Sequence, residues 1–506
     1  MNQVLAESKI TQNNLTTKKK KVLLYNFGPK SDIVYFPIQV LMVAHELEKN
    51  NYEPIVVDTR VQDYKNYSLK DVICVGISTR SGPEILDGLE VAQYVRDTDP
   101  KIPIVWGGNH PSLLYAQTAK DPLVDVVVKG EGDETVLELV QRFDSNQPIE
   151  DVKGIVFEKN GKVIVNPDRE FFNMDTQGNL PYRLLDMKKY YVDKFFSYQS
   201  SRGCPHDCTF CYNHAFNKRR YRIKSPETVL HELEYIKKNF NPETITFVDD
   251  NFFTSKFRAI KIAQGMIDGG LNLKWKASCR ADYLRRYEPE VLDLFKKSGC
   301  TSLSIGAESG SQYILKQIRK DITLEDIKES CIKCVNAKID PIYSFMCGFP
   351  EEKTEDLNLT LDCVDYIYEH GGYVNGIFCL ISYPGTPLFN QAVNGGLKIP
   401  SSLKGWGDWG WNTRETIPPW ISKRHHKKLM VIGEVCRYFS LRKTLENISK
   451  RPDKFSLKFL LLVLWKMADT LVLYPSARIR WKKRYFKYAY EWGFWQFIKN
   501  LYLGHH

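Results

Sequence analysis

The sequence predicts an α/β chain of two parallel-sheet units followed by a helical C-terminal region. Three observations carry this. Short apolar runs alternate with stretches of helical period through two successive halves of the chain. The runs are apolar nearly throughout, as expected of strands covered on both faces. Most of them end in turn residues, chiefly glycine, asparagine and aspartate. At 506 residues the chain exceeds a comfortable single domain. Its 43 % apolar and 26 % charged residues describe a soluble globular protein. No N-terminal run reads as a signal peptide, and no apolar stretch is long enough for a spanning helix.

Residues 1 to about 20 are polar, close on Lys18 to Lys21, and are expected to be disordered. Strands are predicted at Val22 to Asn26, Pro54 to Asp58, Val72 to Ser78, Ile104 to Gly108 and Val124 to Val128. Helical period falls between them, through Leu41, Ala44 and Leu47, from Ile85 to Val95, and from Glu134 to Phe143. In such a sheet ligands sit outside the carboxyl ends of the strands. The loops there are at Gly28, at Ser78-Thr79-Arg80-Ser81-Gly82, at Gly107-Gly108-Asn109-His110-Pro111 and at Gly130-Glu131-Gly132. Their glycines permit tight turns or close backbone approach to a ligand. No GxGxxG follows the first strand, which disfavours a dinucleotide site.

Residues 151 to 195 read as a connector, with a hairpin at Gly154 to Val165 around Asn160-Gly161. Phe195 to Tyr198 is the strand expected to deliver the next loop. Strand–helix alternation then resumes. Strands are predicted at Glu243 to Asp250, Leu273 to Cys279, Ser302 to Glu308, Pro341 to Met346 and Gly376 to Leu380. Helices are predicted at Ser225 to Asn239, Ser255 to Met266, Glu290 to Ser298, Leu324 to Ala337 and Thr354 to Glu369. The first of these opens on a serine cap followed by proline. About six parallel units make a barrel or partial barrel, where polar residues at strand ends read as site residues. Beyond it, Gly405 to Asn412 is an aromatic loop that suits either a substrate entrance or packing on the barrel end.

The charge is unevenly placed. From Ile421 to His506 there are 19 Lys and Arg against 5 Asp and Glu, which exceeds the whole chain's +11, so the body is slightly acidic. The tail interleaves bases and rings, as at Arg478 to Tyr488 and around Trp492 and Trp495, and carries the apolar run Phe459 to Trp465. Such a segment suits an anionic membrane surface; a helical cap with a solvated basic face is the plain alternative. No nucleic-acid module accompanies it, so no nucleic-acid partner is expected.

Gly203-Cys204-Pro205-His206-Asp207-Cys208-Thr209-Phe210-Cys211-Tyr212 organises the chain. Three thiolates on one short loop can hold three corners of a [4Fe–4S] cluster and leave the fourth iron open. A structural zinc site needs a fourth ligand, for which His206 and His214 are candidates. The remaining cysteines, among them Cys279, Cys300, Cys331, Cys334, Cys347, Cys363 and Cys379, lack a second cluster spacing and read as small buried hydrophobes. Their scatter among the twelve argues for a reducing compartment.

The cysteine stretch resembles the signature of the radical S-adenosylmethionine (radical SAM) superfamily. The sheet before it resembles the N-terminal domain of the cobalamin-binding branch, which contains the class B methyltransferases and the anaerobic porphyrin-ring cyclase. The resemblance covers roughly residues 20 to 400. It implies a Rossmann-like (flavodoxin-like) cobalamin-binding domain over 21–150, a partial (β/α)6 TIM-type barrel over 196–400, and a helical region over 401–506. The cofactors implied are the cluster on Cys204, Cys208 and Cys211, SAM, and cobalamin. The Asp-x-His-x-x-Gly motif is absent, so cobalamin is expected without that lower ligand; a flavodoxin-like domain whose cofactor site has decayed is the alternative.

Carried over residue by residue, Phe210 lies near the adenine and shields the cluster together with Tyr212. Asp249, Asp250 and Asn251 match the polar strand-end motif. Arg280 matches a SAM-carboxylate donor, Glu308 with Ser309 a SAM-contacting position, and Gly348 with Phe349 and Pro350 the turn that cradles SAM. Gly28, Ser78, Thr79, Ser81, Gly107, Gly108, Asn109, His110, Gly130, Glu131 and Gly132 fall on the corrin side. The expected chemistry is hydrogen abstraction by a deoxyadenosyl radical, followed by methyl transfer from methylcobalamin to an unactivated carbon. Ring formation or oxidation with the same cofactors is the alternative, and a non-catalytic iron–sulfur scaffold at the membrane the third reading. A low-potential donor such as ferredoxin or flavodoxin, a small-molecule or lipid-like substrate, and a cytoplasmic location at or near the inner membrane face complete the expectation.

Overall fold

A computed structural model describes residues 20–28, 35–190, 195–410, 416–436 and 474–487. The predicted apolar run at Phe459 to Trp465 and the aromatic run around Trp492 lie outside the described residues, as do residues 1–19.

The first sheet has seven strands in the order β2-β1-β3-β4-β5-β6-β7. They are β1 (Lys21–Asn26), β2 (Glu53–Asp58), β3 (Val72–Ser78), β4 (Ile104–Gly107), β5 (Val126–Val128), β6 (Ile155–Lys159) and β7 (Lys162–Val165). The first five are parallel, and β6 and β7 pair antiparallel at the edge. Alternation along β1 explains the covering of both faces. Val22 and Leu24 face Leu41, Leu47, Leu139 and Val140 of the helices Ile38–Lys49 and Asp133–Asp144. Leu23 and Tyr25 face Val91 and Val95 of the helix Glu84–Thr98. The hairpin read as part of the connector thus extends this sheet, because β6 satisfies the open edge of β5. Strand order reverses beside β1, which opens a crevice at the carboxyl ends of β1 and β3.

The second sheet is parallel throughout, with strands in chain order: β8 (Phe195–Tyr198), β11 (Thr244–Phe247), β12 (Lys274–Cys279), β13 (Cys300–Glu308), β14 (Asp340–Cys347) and β15 (Tyr373–Cys379). Between β8 and β11 lies a two-stranded ribbon, β9 (Ser201–Arg202) with β10 (Arg222–Ile223). Among the described residues β8 and β15 do not pair, so the barrel is open. The Ser225 side chain caps the helix Pro226–Phe240 through Thr228 N–H, as its sequence predicts. The strand predicted to Asp250 stops at Phe247, freeing Asp249, Asp250 and Asn251 for the loop. Two short helices, Ala281–Arg286 and Gln312–Gln317, were not predicted; each follows a strand end directly.

The two units dock through aromatic and ionic contacts. Trp406 is fully buried, its Nε1–H bonding Gln117 Oε1 at 2.6 Å and its carbonyl accepting from Gly82 N–H. Trp409 packs against it in a tilted arrangement, with ring centroids 4.6 Å apart. Arg202 reaches across to Glu131 (2.8 Å) and Asp133 (2.9 Å). In the C-terminal region the helix Tyr474–Lys482 lies against the helix Thr354–Glu369, with Trp481 Nε1–H on Asp365 at 2.8 Å and Arg484 paired with Asp362 and Asp365. This part of the basic tail therefore packs on a helix of the second unit.

Candidate active site

The loop leaving β9 carries the three cysteines, and its shape is set by groups other than sulfur. Gly203 opens it at φ +85°, and a Cβ there would lie 2.0 Å from the Arg220 carbonyl oxygen. Asp250 accepts from Gly203 N–H at 2.7 Å and from the Tyr212 hydroxyl at 3.3 Å. Thr209 N–H donates to Ile318 O, and Arg319 pairs with Asp207 at 2.9 Å. All three cysteines are free thiols, and Cys204 receives a 3.8 Å contact from Asn251 Nδ2. Burial pushes the Cys211 thiol up to about 12 and raises that of Cys208; a bound metal displaces such protons.

Both candidate zinc histidines are committed elsewhere. His206 Nε2 lies 2.6 Å from the Tyr283 hydroxyl, and burial lowers its pKa to about 4. His214 Nε2 sits 3.0 Å from Asp207. Among the described residues no three His, Cys, Asp or Glu side chains converge as ligands of one metal ion. A cluster makes a different demand, one thiolate for each of three separate irons, and three cysteines with no fourth ligand fit that demand.

On the barrel side, Glu308 ends β13 in the left-handed region, at φ +64°, a conformation that costs strain in a non-glycine residue. Its Oε1 accepts from Lys320 Nζ at 2.8 Å, both residues being buried. Lys320 also lies 5.9 Å from the Phe210 ring. Phe210 packs with Phe349, Ile314 and Ile318. Asn251 is buried with its Oδ1 unpartnered, a free acceptor beside the cysteine loop. Gly348 turns at φ +88°; its N–H donates to Glu352 at 2.5 Å and its carbonyl accepts from Trp420 Nε1–H at 3.0 Å. Burial raises the Glu352 carboxyl to about 7.

Three of the expected contact residues are also engaged within the protein. Asp249 accepts from Ser200 N–H (2.7 Å) and from the hydroxyls of Ser200 and Ser201 (2.6 Å each), so it braces the loop's foundation from within. The Ser309 hydroxyl lies 3.2 Å from that of Thr360 and accepts from Ser311 N–H. Arg280 spends Nε on Asp282 (2.9 Å) and Nη2 on the carbonyls of Lys320 (2.7 Å) and Asp321 (3.3 Å). Sequence reasoning missed Lys320 altogether; it lies in the connection between the helices Gln312–Gln317 and Leu324–Asn336, where no spacing marks it.

Facing this loop, the first sheet contributes two adjoining cavities. One, of about 470 Å³, is lined by Ser78, Thr79, Gly107, Gly108, Asn109, Gly130, Glu131 and Gly132, with Tyr212 and Asp250 from the barrel side. The other, of about 1330 Å³, is lined by Gly28, Ser81, Asn109 and His110, with Tyr212, Tyr383 and Trp409 opposite. Tyr212, Asn109, Arg80 and Glu84 line both. A Cβ on Gly130 would meet nothing within 4 Å, whereas one on Gly108 would meet Thr79 O at 2.6 Å. The Thr79 hydroxyl and His110 Nε2 are buried without partners. His110 Nδ1 lies 2.8 Å from the Ser81 hydroxyl, and burial lowers its pKa to about 3, so the ring is neutral. Room, exposed backbone and orphaned polar groups fit a large amide-fringed ligand such as cobalamin. Glu131, expected on the corrin side, is also tied to Arg202, Arg222 (2.6 Å) and Phe172 N–H (2.9 Å).

Comparison with known proteins agrees with this division. Residues 198–364 match the radical SAM superfamily, and residues 30–140 match the B12 binding domain. An uncharacterized methyltransferase of Pyrococcus horikoshii is 29 % identical over 409 residues, covering 79 % of this chain and 84 % of its own. The anaerobic magnesium-protoporphyrin IX monomethyl ester cyclase of Rubrivivax gelatinosus is 26 % identical over 343 residues; the match spans 64 % of this chain and 61 % of the cyclase. The structure of the cobalamin-dependent S-adenosylmethionine radical enzyme OxsB superposes with a TM-score of 0.70 at 18 % identity, covering 90 % of this chain and 71 % of that one. Among the described residues no helix is long and apolar enough to cross a membrane.

Proposed function

We propose that this chain, a member of the radical SAM superfamily that also carries a B12-binding domain, methylates an unactivated carbon of a hydrophobic or natural-product small molecule. Its cofactors are a [4Fe–4S] cluster, SAM and cobalamin. When bound, they supply a hydrogen-abstracting radical and a transferable methyl group. The observation that carries the reading is the shared wall. Tyr212, next to the last cysteine, lines both cavities together with Asn109 of the first sheet's loop.

Cys204, Cys208 and Cys211 would hold the cluster, and Asn251, Glu308, Lys320 and the Gly348 turn would hold SAM. Gly107, Gly108, Gly130 and the orphaned Thr79 and His110 would receive the corrin. Phe210, packed on Phe349, excludes water from the cysteine side. The protein's part is placement and dryness, which sets which carbon is reached.

The test is anaerobic incubation of the holoprotein with SAM, methylcobalamin and a reductant. A substrate mass gain of one methylene unit is expected. Deoxyadenosine formed by protein that binds no corrinoid would overturn the methyltransferase reading. Similarity to the porphyrin-ring cyclase supports a second outcome, ring formation or oxidation, read as a mass change other than a methylene. A ferredoxin or flavodoxin is the proposed donor. Exposed Ile479 and Tyr485 beside Lys482 and Lys483 support contact with an anionic membrane. Co-sedimentation with anionic but not neutral vesicles tests it.

A further inference from the structure

We propose that the exposed basic patch beside the cysteine loop, built from Lys218, Arg219, Arg220, Lys316 and Arg319, is the docking face for an acidic electron-carrier protein that reduces the cluster. This deepens the reading above and rests on a cluster held by Cys204, Cys208 and Cys211.

The patch lies where the loop meets solvent. Phe210 packs inward on Phe349, and Tyr212 lines the two cavities. Asp207, the residue before Cys208, is met instead by groups from two surface segments. Arg319 pairs with it at 2.9 Å, His214 lies at 3.0 Å and Arg219 at 3.6 Å. Arg219 Nε–H also donates to Pro205 O at 3.1 Å. Both arginines still leave much of their side chains in water, 48 % for Arg219 and 57 % for Arg319. Lys218, Arg220 and Lys316 are exposed beside them. The surface is thus one residue away from a cysteine of the cluster.

Bracing the loop does not account for so much charge. Asp207 is one carboxylate and needs one guanidinium. Asp168, paired with Lys218 at 2.6 Å, is the other carboxylate paired with these bases. Five bases therefore stand with two carboxylates, on a body that the sequence makes slightly acidic. The bases are also held on strained backbone. Lys218, Arg219 and Arg319 sit at φ +49°, +58° and +51°, and two successive non-glycine residues in that region are unusual. Glycine or asparagine would make the same turns without charge. A use for the charge explains why lysine and arginine stand there. A positive field at this point steers an acidic partner and raises its encounter rate. One electron crosses the face: the carrier's reduced centre loses it, the cluster gains it, and no bond or proton changes. The cavities on the other side of the loop stay free for the corrinoid and the substrate.

The experiment follows reduction of cluster-loaded protein by stopped-flow absorbance. The reductants are an acidic ferredoxin and a flavodoxin hydroquinone, each reduced beforehand, and reduced methyl viologen, a small cation. Wild type is compared with Arg220→Glu/Lys316→Glu, which leaves the Asp207 contacts in place, and iron and sulfide are counted in both. With a carrier protein, the wild-type rate constant is expected to fall steeply as salt is raised, a readout that needs no variant. At low salt the double variant should be slower by about tenfold or more with the carrier, and no slower with methyl viologen. A carrier rate that ignores salt, or that is equal in the two proteins, overturns the assignment. An equal fall with methyl viologen also overturns it, because the bases then act on the cluster and not on a partner. Wild type that takes up no iron and sulfide overturns the cluster reading beneath it.

Discussion

Replacing Arg202 with methionine should loosen the joint between the two units. The guanidinium is 11 % exposed and makes three short contacts, to Glu131 at 2.8 Å and to Asp133 at 2.9 and 3.0 Å. Those carboxylates hold it charged against the cost of burial. A methionine keeps the aliphatic packing beside Met42 and Phe172 while removing the charge. Breaking a buried pair by removing one partner costs about 3–5 kcal/mol, mainly through the charge left behind. Two features reduce that here. Glu131 keeps Arg222 at 2.6 Å, and Asp133 stands in the first turn of the helix Asp133–Asp144, where the dipole returns about 0.3–1 kcal/mol. The net expectation is about 3 kcal/mol. It is read as the opening free energy from hydrogen exchange at residues 130–133 and 200–204, and in urea unfolding. Adding Asp133→Asn should recover half the loss or more, because the stranded charge goes with it. A loss below about 1 kcal/mol, or no recovery from the second substitution, would refute the reasoning.

Gly203→Ala should abolish cluster incorporation, since its Cβ collides with the Arg220 carbonyl at 2.0 Å; iron and sulfide counts after reconstitution check it. Gly130→Ala meets no neighbour within 4 Å but adopts φ +98°, so it should fold at a cost of about 1–2 kcal/mol and lose corrinoid affinity, measured by cobalt retained after gel filtration. Glu352 carries a pH dependence. Its folded pKa of about 7 lies above the ordinary 4.5, so its contribution to stability is full below about pH 4.5 and is lost as pH rises through 7, by at most about 3 kcal/mol. Glu352→Gln should flatten that slope, and unfolding midpoints of the two proteins at pH 5 and pH 8 compare them.

Much of this architecture is legible in the chain because its elements are local. β3 runs from Val72 to Ser78 and the helix from Thr354 to Glu369 as the sequence predicts, each bounded by its own turn or cap residues. The cysteine loop and the glycine turns at Gly107 and Gly130 also announce themselves by spacing and type. What escaped was set by partners distant in sequence. The hairpin β6–β7 joins the first sheet only because β5 offers an edge. Asp249 and Arg280 sit at the expected strand ends, but Ser200, Ser201 and the carbonyls at 320 and 321 claim their side chains. Lys320 shows no periodicity, and its pairing with Glu308, twelve residues earlier, is made only once the connection after β13 folds back on the strand end. The aromatic loop fits both of its readings, Trp406 as packing and Trp409 as packing that also lines the larger cavity.

The central claim is that a cluster on Cys204, Cys208 and Cys211 and a corrinoid on the first sheet face one another across the walls that Tyr212 and Asn109 share. Pulsed electron paramagnetic resonance on anaerobically loaded protein, with the cluster reduced and the cobalt divalent, tests it most directly. The account predicts one cluster and one cobalt per chain, with a dipolar coupling between the two centres that disappears in Cys208→Ala. Cobalt that fails to bind, or that binds with no coupling to an intact reduced cluster, would contradict it.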